Sequence, residues 1–147
     1  MEYRRLGHAG IKVSAVSIGA WLTYGSDRVE FEQAAACLRT AVESGINFID
    51  VADIYAYGEA EKVVGKVLKD FDRAKLVIST KAYWPMSQDP NDRGLSRKHI
   101  IESVNQSLKR FDVDYIDLFF CHRYDENSET EETVRALSDL VTQGKIL

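Results

Sequence analysis

Two spacings of apolar residues alternate along the chain. Short apolar runs predict strands at about 13–18, 46–51, 76–81 and 115–121. After each run, apolar residues recur every three or four positions, which predicts helices at about 29–44, 60–68, 96–111 and 130–143. Regular alternation of strands with helices is typical of parallel βαβ units, so we expect an α/β fold with a parallel sheet.

The residues between these elements refine their boundaries. Gly45 and Gly144 are expected to end the first and last helices. Ser26 or Asp27 is available to cap the first helix, and Ser96 the third. The segment 82–95 is longer than an ordinary connection and is therefore a candidate functional loop.

Further short elements are predicted near both ends of the chain. Segments 3–6 and 11–13, separated by a glycine-containing turn, have the pattern of a β-hairpin that could cover the N-terminal mouth of a barrel. Ile146 and Leu147 resemble the opening of a fifth strand.

Composition and charge narrow the class of protein. With 147 residues, 45% of them hydrophobic and 29% charged, the chain has the composition of one globular domain. The net charge of -4 and the scattered lysines and arginines form no basic block for nucleic acid. No run reaches the ~18 apolar residues of a membrane span. We therefore expect a cytoplasmic protein without membrane insertion, in which Cys37 and Cys121 are buried, reduced thiols.

Three ionisable residues stand at the ends of three consecutive predicted strands. Asp50 closes the second strand, Lys81 closes the third, and His122 follows the fourth. Because parallel strands end at one edge of a sheet, where α/β barrels place their active sites, these side chains are expected to converge. Tyr55 lies in the loop above the same edge.

This group of side chains suits the protonation of a carbonyl oxygen while hydride reaches the carbonyl carbon. A tyrosine hydroxyl has an ordinary pKa near ~10 and becomes a better acid beside a positive charge, which Lys81 can supply. Asp50 would hold the Lys81 ammonium in place, and His122 could orient the carbonyl with a hydrogen bond.

Each residue also has a structural alternative. An aspartate at a strand end commonly caps a turn, a lone lysine there is usually solvated, and a histidine near aromatic residues more often packs than catalyses. No dinucleotide fingerprint, P-loop, serine nucleophile elbow or Cys/His cluster with metal-ligand spacing is present, so no metal is expected. Glu59 and Glu61 are interpreted as solvated helix residues.

Several segments resemble the signatures of the aldo-keto reductase family in order and spacing. They are VSIGAW at 16–21, NFIDVADIY at 47–55, YGEAE at 57–61, ISTK at 78–81 and LFFCH at 118–122. The resemblance runs over essentially the whole chain. Segments 93–101 and 131–136 look most like the branch that includes potassium-channel beta subunits and their bacterial relatives.

The resemblance implies a fold and an activity. The fold is a parallel (β/α)8 TIM barrel, and the activity is NADP(H)-dependent reduction of small aldehydes or ketones. Tyr55 is implied to be the proton donor, with Lys81 and Asp50 as the pair that tunes it. His122 is implied to lie at the substrate carbonyl.

Contacts to the cofactor are implied as well. In the family, the turn Gly19-Ala20-Trp21 lies beside the cofactor, and Asp50 lies near the nicotinamide ribose. The channel-subunit branch usually has threonine at position 20. Ala20 would therefore contribute its backbone and no hydroxyl.

The substrate pocket is implied to be lined by Trp21, Tyr55 and His122. Trp84 is a candidate for an additional wall, and the alternative is an aromatic residue that covers the barrel rim. His122 stands where channel subunits tend to carry asparagine, which favours a working reductase.

The length of the chain limits what it can do alone. A closed α/β barrel needs ~250 residues, so residues 1–147 are interpreted as the N-terminal half of one barrel domain. The implied partner is the missing C-terminal half, which in relatives holds the 2′-phosphate of NADP. The alternatives are a nucleotide-binding accessory or redox-sensing subunit with little turnover, or an inactive half-barrel fragment whose open sheet edges favour homo-oligomers.

Overall fold

The computed structural model describes all 147 residues as an alternation of strands and helices. The strands are β1 Tyr3–Arg5, β2 Lys12–Ser14, β3 Ile18–Gly19, β4 Phe48–Asp50, β5 Val77–Ala82 and β6 Leu118–Cys121. The α-helices are α1 Phe31–Glu43, α2 Glu59–Leu68, α3 Arg97–Phe111 and α4 Thr130–Thr142, with 3-10 turns at Tyr55–Gly58 and Arg73–Lys75. None of the helices combines the length and the apolar content that crossing a membrane requires.

Four strands form one parallel sheet in the order β3-β4-β5-β6. Strand order follows chain order, and one helix connects each strand to the next, which is the repeat of a parallel α/β barrel. Successive side chains alternate between the two faces of the sheet. On β5, Ser79 and Lys81 therefore share one face, while Ile78 and Thr80 lie on the face that the helices cover.

Short pairings near the ends of the chain agree with the predictions. β1 and β2 form the expected antiparallel hairpin, with Tyr3 opposite Ser14. The Ser14 amide donates to the Asn47 side chain at 2.7 Å, which attaches the hairpin at the N-terminal end of β4. Ile146 makes a parallel bridge to Ile116, as expected for the start of a fifth strand.

The apolar core lies between the sheet and its helices, in two clusters. One, beneath α1 and α2, contains Leu38, Ile49, Val64, Val67, Ile78 and Phe111. The other, beneath α3 and α4, contains Ile100, Val104, Ile116, Ala136 and Leu140. Burying one large apolar side chain contributes about 1.5–3 kcal/mol. Helices α2 and α3 approach so closely that a methyl group on Gly65 would overlap the Phe111 carbonyl, so this contact requires glycine.

The N-terminal ends of two helices test the predicted capping residues. Neither Ser26 nor Asp27 caps α1, which begins after Glu30 without a side-chain capping hydrogen bond. The prediction for α3 is confirmed, because the Ser96 hydroxyl accepts a hydrogen bond from the His99 amide at 3.2 Å.

The strand predicted at 13–18 is divided in the structure. Its first part belongs to the hairpin strand β2, and its last residue, Ile18, belongs to the parallel strand β3. Between them the Ser14 hydroxyl donates to the Val16 carbonyl at 2.6 Å, which turns the chain from one sheet to the other.

Two predictions of burial are wrong. Cys37 and Cys121 are exposed, because Cys37 lies beside the buried stripe of α1 and Cys121 ends the edge strand β6. Glu61 is fully buried instead of solvated. Helix α2 turns it toward β5, where the Thr80 hydroxyl donates to its carboxylate.

Candidate active site

Asp50 and Lys81 meet at the C-terminal edge of the parallel sheet. β4 and β5 pair with Asp50 opposite Ser79, which places the two charged side chains on one face. The Lys81 ammonium donates to the Asp50 carboxylate at 2.8 Å and to the Val51 carbonyl at 2.6 Å. Ser79 donates to the other Asp50 oxygen at 2.7 Å, so the carboxylate is held from two sides.

Tyr55 reaches this ion pair from the loop that follows β4. Its hydroxyl oxygen lies 3.4 Å from the Lys81 ammonium nitrogen. The next two residues, Ala56 and Tyr57, have φ values of 49° and 51°. For residues other than glycine this left-handed conformation costs about 1–2 kcal/mol each. Contacts elsewhere in the fold must offset that strain, since such conformations persist only where the surroundings impose them.

His122 completes the group at the end of β6. Its amide donates to the Ala82 carbonyl at 3.0 Å, which continues the β5–β6 pairing to the sheet edge. The imidazole stands edge-on to the Tyr55 ring, with centroids 6.0 Å apart and planes at 78°. Burial, together with the positive charges of Lys81 and Arg123, lowers the pKa of His122. Near neutral pH the imidazole is therefore uncharged and can donate one hydrogen bond.

Aromatic side chains surround the entrance to this group. The Trp21 and Tyr55 ring centroids are 6.5 Å apart, and those of Trp84 and His122 are 6.4 Å apart. Together they form an open cleft of about 440 Å³, lined by Trp21, Ile54, Tyr55, Trp84, His122 and Arg123. The cleft therefore contains all four residues that were predicted to contact substrate.

A larger cleft, of about 560 Å³, lies outside the sheet beside α3. Its lining is polar except for Met86, and it includes neither Tyr55 nor His122. Small-molecule sites combine apolar walls with a few polar groups, so we place the candidate chemistry in the aromatic cleft. No group of three or more His, Cys, Asp or Glu side chains is arranged to hold a metal ion.

The predicted cofactor turn lies beside the same ion pair. The Ala20 amide donates to the Asp50 carbonyl at 3.0 Å, which ties the turn to β4. A methyl group on Gly19 would meet no atom within 4 Å, and Trp21 is 65% exposed. These positions leave open space beside Asp50. Ala20 is fully buried, and its amide is engaged by the Asp50 carbonyl.

A second polar network lies on the opposite face of the sheet, beneath α2 and α3. Thr80, the neighbour of Lys81 on β5, donates to one Glu61 oxygen at 2.6 Å. The Arg110 guanidinium pairs with the other Glu61 oxygen. This network is closed to substrate because Glu61 is fully buried.

Asp53 connects the Tyr55 loop to α3. Its carboxylate accepts hydrogen bonds from the Ile54 amide at 2.6 Å and from the Ser103 hydroxyl at 3.0 Å. Asp53 has no exposed surface, and burial raises its pKa to about 7. The position of Tyr55 therefore depends on an anchor two residues away that does not face the cleft.

Sequence reasoning assigned no role to Ser79, Asp53 or Arg123. The two-residue period places Ser79 on the Lys81 face, and that signal could have found it. Asp53 has no local signal, because its partner Ser103 is 50 positions away. Arg123 follows His122 directly, but strand alternation does not give the direction of a loop side chain.

Fold and site together define a class of protein: parallel βα units of an α/β barrel with a Tyr-Lys-Asp-His group at the C-terminal edge of the strands. The chain belongs to the aldo/keto reductase family, whose family model matches residues 15–147. This membership confirms the resemblance seen in the sequence. It also supports the prediction that the protein is an oxidoreductase.

Curated relatives are named as channel subunits. The chain is 44% identical over 146 residues to a probable voltage-gated potassium channel subunit beta of Oryza sativa subsp. japonica and to one of Arabidopsis thaliana. It is 46% identical over 148 residues to a putative subunit of that kind in Schizosaccharomyces pombe. These alignments cover 98% or 99% of this chain but only 43% or 44% of each relative. The chain therefore spans less than half the length of these relatives.

A solved structure confirms the predicted fold class. The chain superposes on a thermostable aldo-keto reductase, crystallised in complex with the inhibitor epalrestat, with a TM-score of 0.87 and 35% identity. The match covers 99% of this chain and 52% of that one. The four-stranded parallel sheet thus corresponds to about half of an aldo-keto reductase barrel.

Proposed function

We propose that the full-length protein carrying these residues reduces aldehydes or ketones with NADPH, and that Tyr55 donates the proton. One observation carries the proposal: the Lys81 ammonium lies 2.8 Å from the Asp50 carboxylate and 3.4 Å from the Tyr55 hydroxyl. A partly buried cation that bridges a carboxylate and a tyrosine beside an open cleft is the arrangement that favours proton donation by tyrosine.

Tyr55 carries the proton in this mechanism. Its O–H bond breaks as the proton passes to the carbonyl oxygen, and the negative charge stays on the tyrosine oxygen. The Lys81 ammonium, whose side chain is only 14% exposed, stabilises that charge through a charge-assisted hydrogen bond. Asp50 keeps the ammonium in place during the transfer, and solvent reprotonates Tyr55 through the open cleft.

His122 orients the substrate. Because burial and the neighbouring cations lower its pKa, the uncharged imidazole donates a hydrogen bond to the carbonyl without competing with Tyr55 as an acid. Trp21 and Trp84 contribute apolar surface that holds the carbon side of the substrate and displaces water.

Residues of this chain would form one side of the cofactor site. When bound, a nicotinamide cofactor would supply the hydride that joins the carbonyl carbon. Gly19 and Trp21 would hold it beside Asp50. We assign residues 1–147 to the N-terminal half of a single barrel domain, and we assign the preference for NADP(H) to phosphate-binding groups in the other half.

The test is an assay of aldehyde reduction by the full-length protein, in which the rate is measured as the loss of NADPH absorbance. Tyr55→Phe is expected to lower kcat about 100- to 10,000-fold, because it removes the proton and little else. Tyr57→Phe is the matched control: Tyr57 is exposed, lies outside the cleft and should keep the wild-type kcat. A Tyr55→Phe variant with undiminished kcat would contradict the assignment.

A second candidate function is that of an accessory subunit, because the relatives are named as potassium channel beta subunits and this chain covers 43% to 44% of their length. In that case the full-length protein binds nucleotide and a partner protein, turns over slowly and assembles as a homo-oligomer. NADPH titration and gel filtration distinguish the candidates. Tight NADPH binding without aldehyde reduction favours the accessory subunit, while turnover that depends on Tyr55 favours the reductase.

A further inference from the structure

Arg123 is a charged residue of the active-site cleft that the proposed mechanism does not use. It follows His122 directly and lines the cleft together with Tyr55. Its guanidinium carbon lies 5.9 Å from the centroid of the Trp84 ring, within cation–π range. Its Nη1 donates to the His122 carbonyl at 3.4 Å. The cation therefore stands at the aromatic wall, beside the imidazole that orients the carbonyl.

No carboxylate neutralises Arg123. No acidic side chain lies within 4.0 Å of its guanidinium, and its one hydrogen bond is to a backbone carbonyl. Asp50, at the end of β4, already binds Lys81. Asp125 belongs to the same loop as Arg123 but accepts its hydrogen bonds from other groups, among them the Leu95 amide. Arg123 is exposed, and within residues 1–147 its positive charge has no carboxylate partner.

The loops that carry this cation are joined to each other. Arg123 lies between β6 and α4, whereas Trp84 lies between β5 and α3. Asp125 connects the two loops because its buried carboxylate accepts the Leu95 amide at 2.7 Å. Gly94 makes room for this contact, since a methyl group there would come 2.7 Å from an Asp125 oxygen. A guanidinium on ordered loops loses less freedom on binding than one on a mobile segment.

We propose that Arg123 binds an anionic group of the carbonyl substrate, a carboxylate or a phosphate. The preferred substrates are then aldehydes or ketones that carry such a group within reach of the cleft wall. This inference rests on the proposed reductase function. A guanidinium matches both anions, because its parallel N–H groups donate two hydrogen bonds to a pair of oxygens. Tyr55, His122 and Arg123 line the same cleft, so a substrate could present its carbonyl oxygen to the first two and its anion to the third.

The test compares matched aldehydes in the full-length protein with NADPH. Para-carboxybenzaldehyde and its methyl ester differ by one charge, and para-formylphenyl phosphate supplies the phosphate form. We expect kcat/KM for at least one anion to exceed that for the ester about 10-fold or more, the effect of one charged hydrogen-bonded contact. The anion with the larger advantage identifies the group that Arg123 binds.

Variants assign this preference to the residue. Arg123→Gln is expected to raise KM for the anion, so that the ratio of kcat/KM for the anion to kcat/KM for the ester falls to about one. Arg123→Lys is expected to keep part of the preference for the anion. Arg135→Gln, at an exposed arginine of α4 outside the cleft, is the matched control and should keep the ratio. Added salt should reduce the wild-type preference, because it screens an exposed charge.

The outcomes separate this inference from the proposed function. Equal kcat/KM for ester and anions in the wild type, or a ratio that Arg123→Gln leaves intact, overturns the inference while aldehyde reduction stands. A raised KM for NADPH in Arg123→Gln, with the aldehyde ratio unchanged, assigns the residue to the cofactor and also overturns it. No reduction of any of the aldehydes contradicts the proposed function, and the inference fails with it.

Discussion

Two carboxylate–cation pairs lie on opposite faces of one sheet, in different surroundings. Asp50 and Lys81 lie beside Tyr55 at the C-terminal edge of the strands, with side chains 32% and 14% exposed. Glu61 and Arg110 lie beneath the helices, where Glu61 is fully buried. One carboxylate–cation pair thus lies where a substrate can approach it, and the other lies where none can.

The remaining hydrogen-bonding capacity also distinguishes the pairs. Both Glu61 oxygens are engaged, one by Thr80 and one by Arg110. Lys81, in contrast, makes two short contacts and a third, to Tyr55, that is longer than an ordinary hydrogen bond at 3.4 Å. That contact can shorten as charge develops on the tyrosine oxygen. The Asp50–Lys81 pair is therefore the better candidate for catalysis, because it is partly exposed and its contact with Tyr55 can still shorten.

Removing the cation of the open pair should have the largest effect. Lys81→Met is expected to lower kcat for aldehyde reduction about 100- to 10,000-fold, because the charge left on Tyr55 loses its stabilising ammonium. Stability should change little, on the order of 1 kcal/mol, since Asp50 remains partly solvated and bonded to Ser79. Steady-state kinetics and urea unfolding of the full-length protein measure both effects.

Lys62→Met is the control for this variant, because Lys62 lies on the exposed face of α2 and pairs only with Glu59. It should leave kcat at the wild-type value. If Lys81→Met instead kept its kcat and lost several kcal/mol of stability, the open pair would be structural and the contrast between the two faces would disappear.

Breaking the buried Glu61–Arg110 pair should lower stability and leave kcat nearly unchanged. Glu61→Ala is expected to reduce the free energy of unfolding by about 3 kcal/mol, because it leaves Arg110 and Thr80 without their partner. Glu59→Ala, two residues earlier on the same helix and exposed, should cost about 0.5 kcal/mol or less. A Glu61→Ala protein that unfolds like wild type but has lost its kcat would show that the buried network takes part in catalysis.

The smallest effect concerns Asp53 and depends on pH. Burial raises its pKa from 3.8 to about 7 in the folded protein, so between these values the folded state holds a proton that the unfolded chain releases. Its contribution to stability therefore falls as pH rises through this window. Asp53→Asn removes the dependence and should gain, relative to wild type, about 2 kcal/mol between pH 5 and pH 7.

Urea unfolding of both proteins at the two pH values measures this difference. His99 and His122, whose pKa values burial lowers, contribute equally to both proteins and cancel in the comparison. Parallel pH profiles would mean that Asp53 ionises in the folded state as it does in the unfolded chain.

Local patterns were enough to predict much of this structure. The last three parallel strands and the four helices follow from apolar spacing, and Ser96 caps α3 as expected. The convergence of Asp50, Lys81 and His122 follows from topology, because consecutive parallel strands end at one edge. Failures occurred where a side chain depends on a distant partner. Glu61 was placed in solvent because Thr80, which receives it, belongs to another element.

The sequence by itself determined the order of the elements, the face on which each strand residue lies and the set of groups available for proton transfer. These properties depend on neighbours within a few positions. Only the tertiary structure decided that Tyr55 stands beside Lys81, that Asp53 is anchored by Ser103, and that Arg123 lies beside Trp84 at the cleft. Each of these depends on contacts between segments far apart in the chain, whose distances only the packing of helices and loops around the sheet can set.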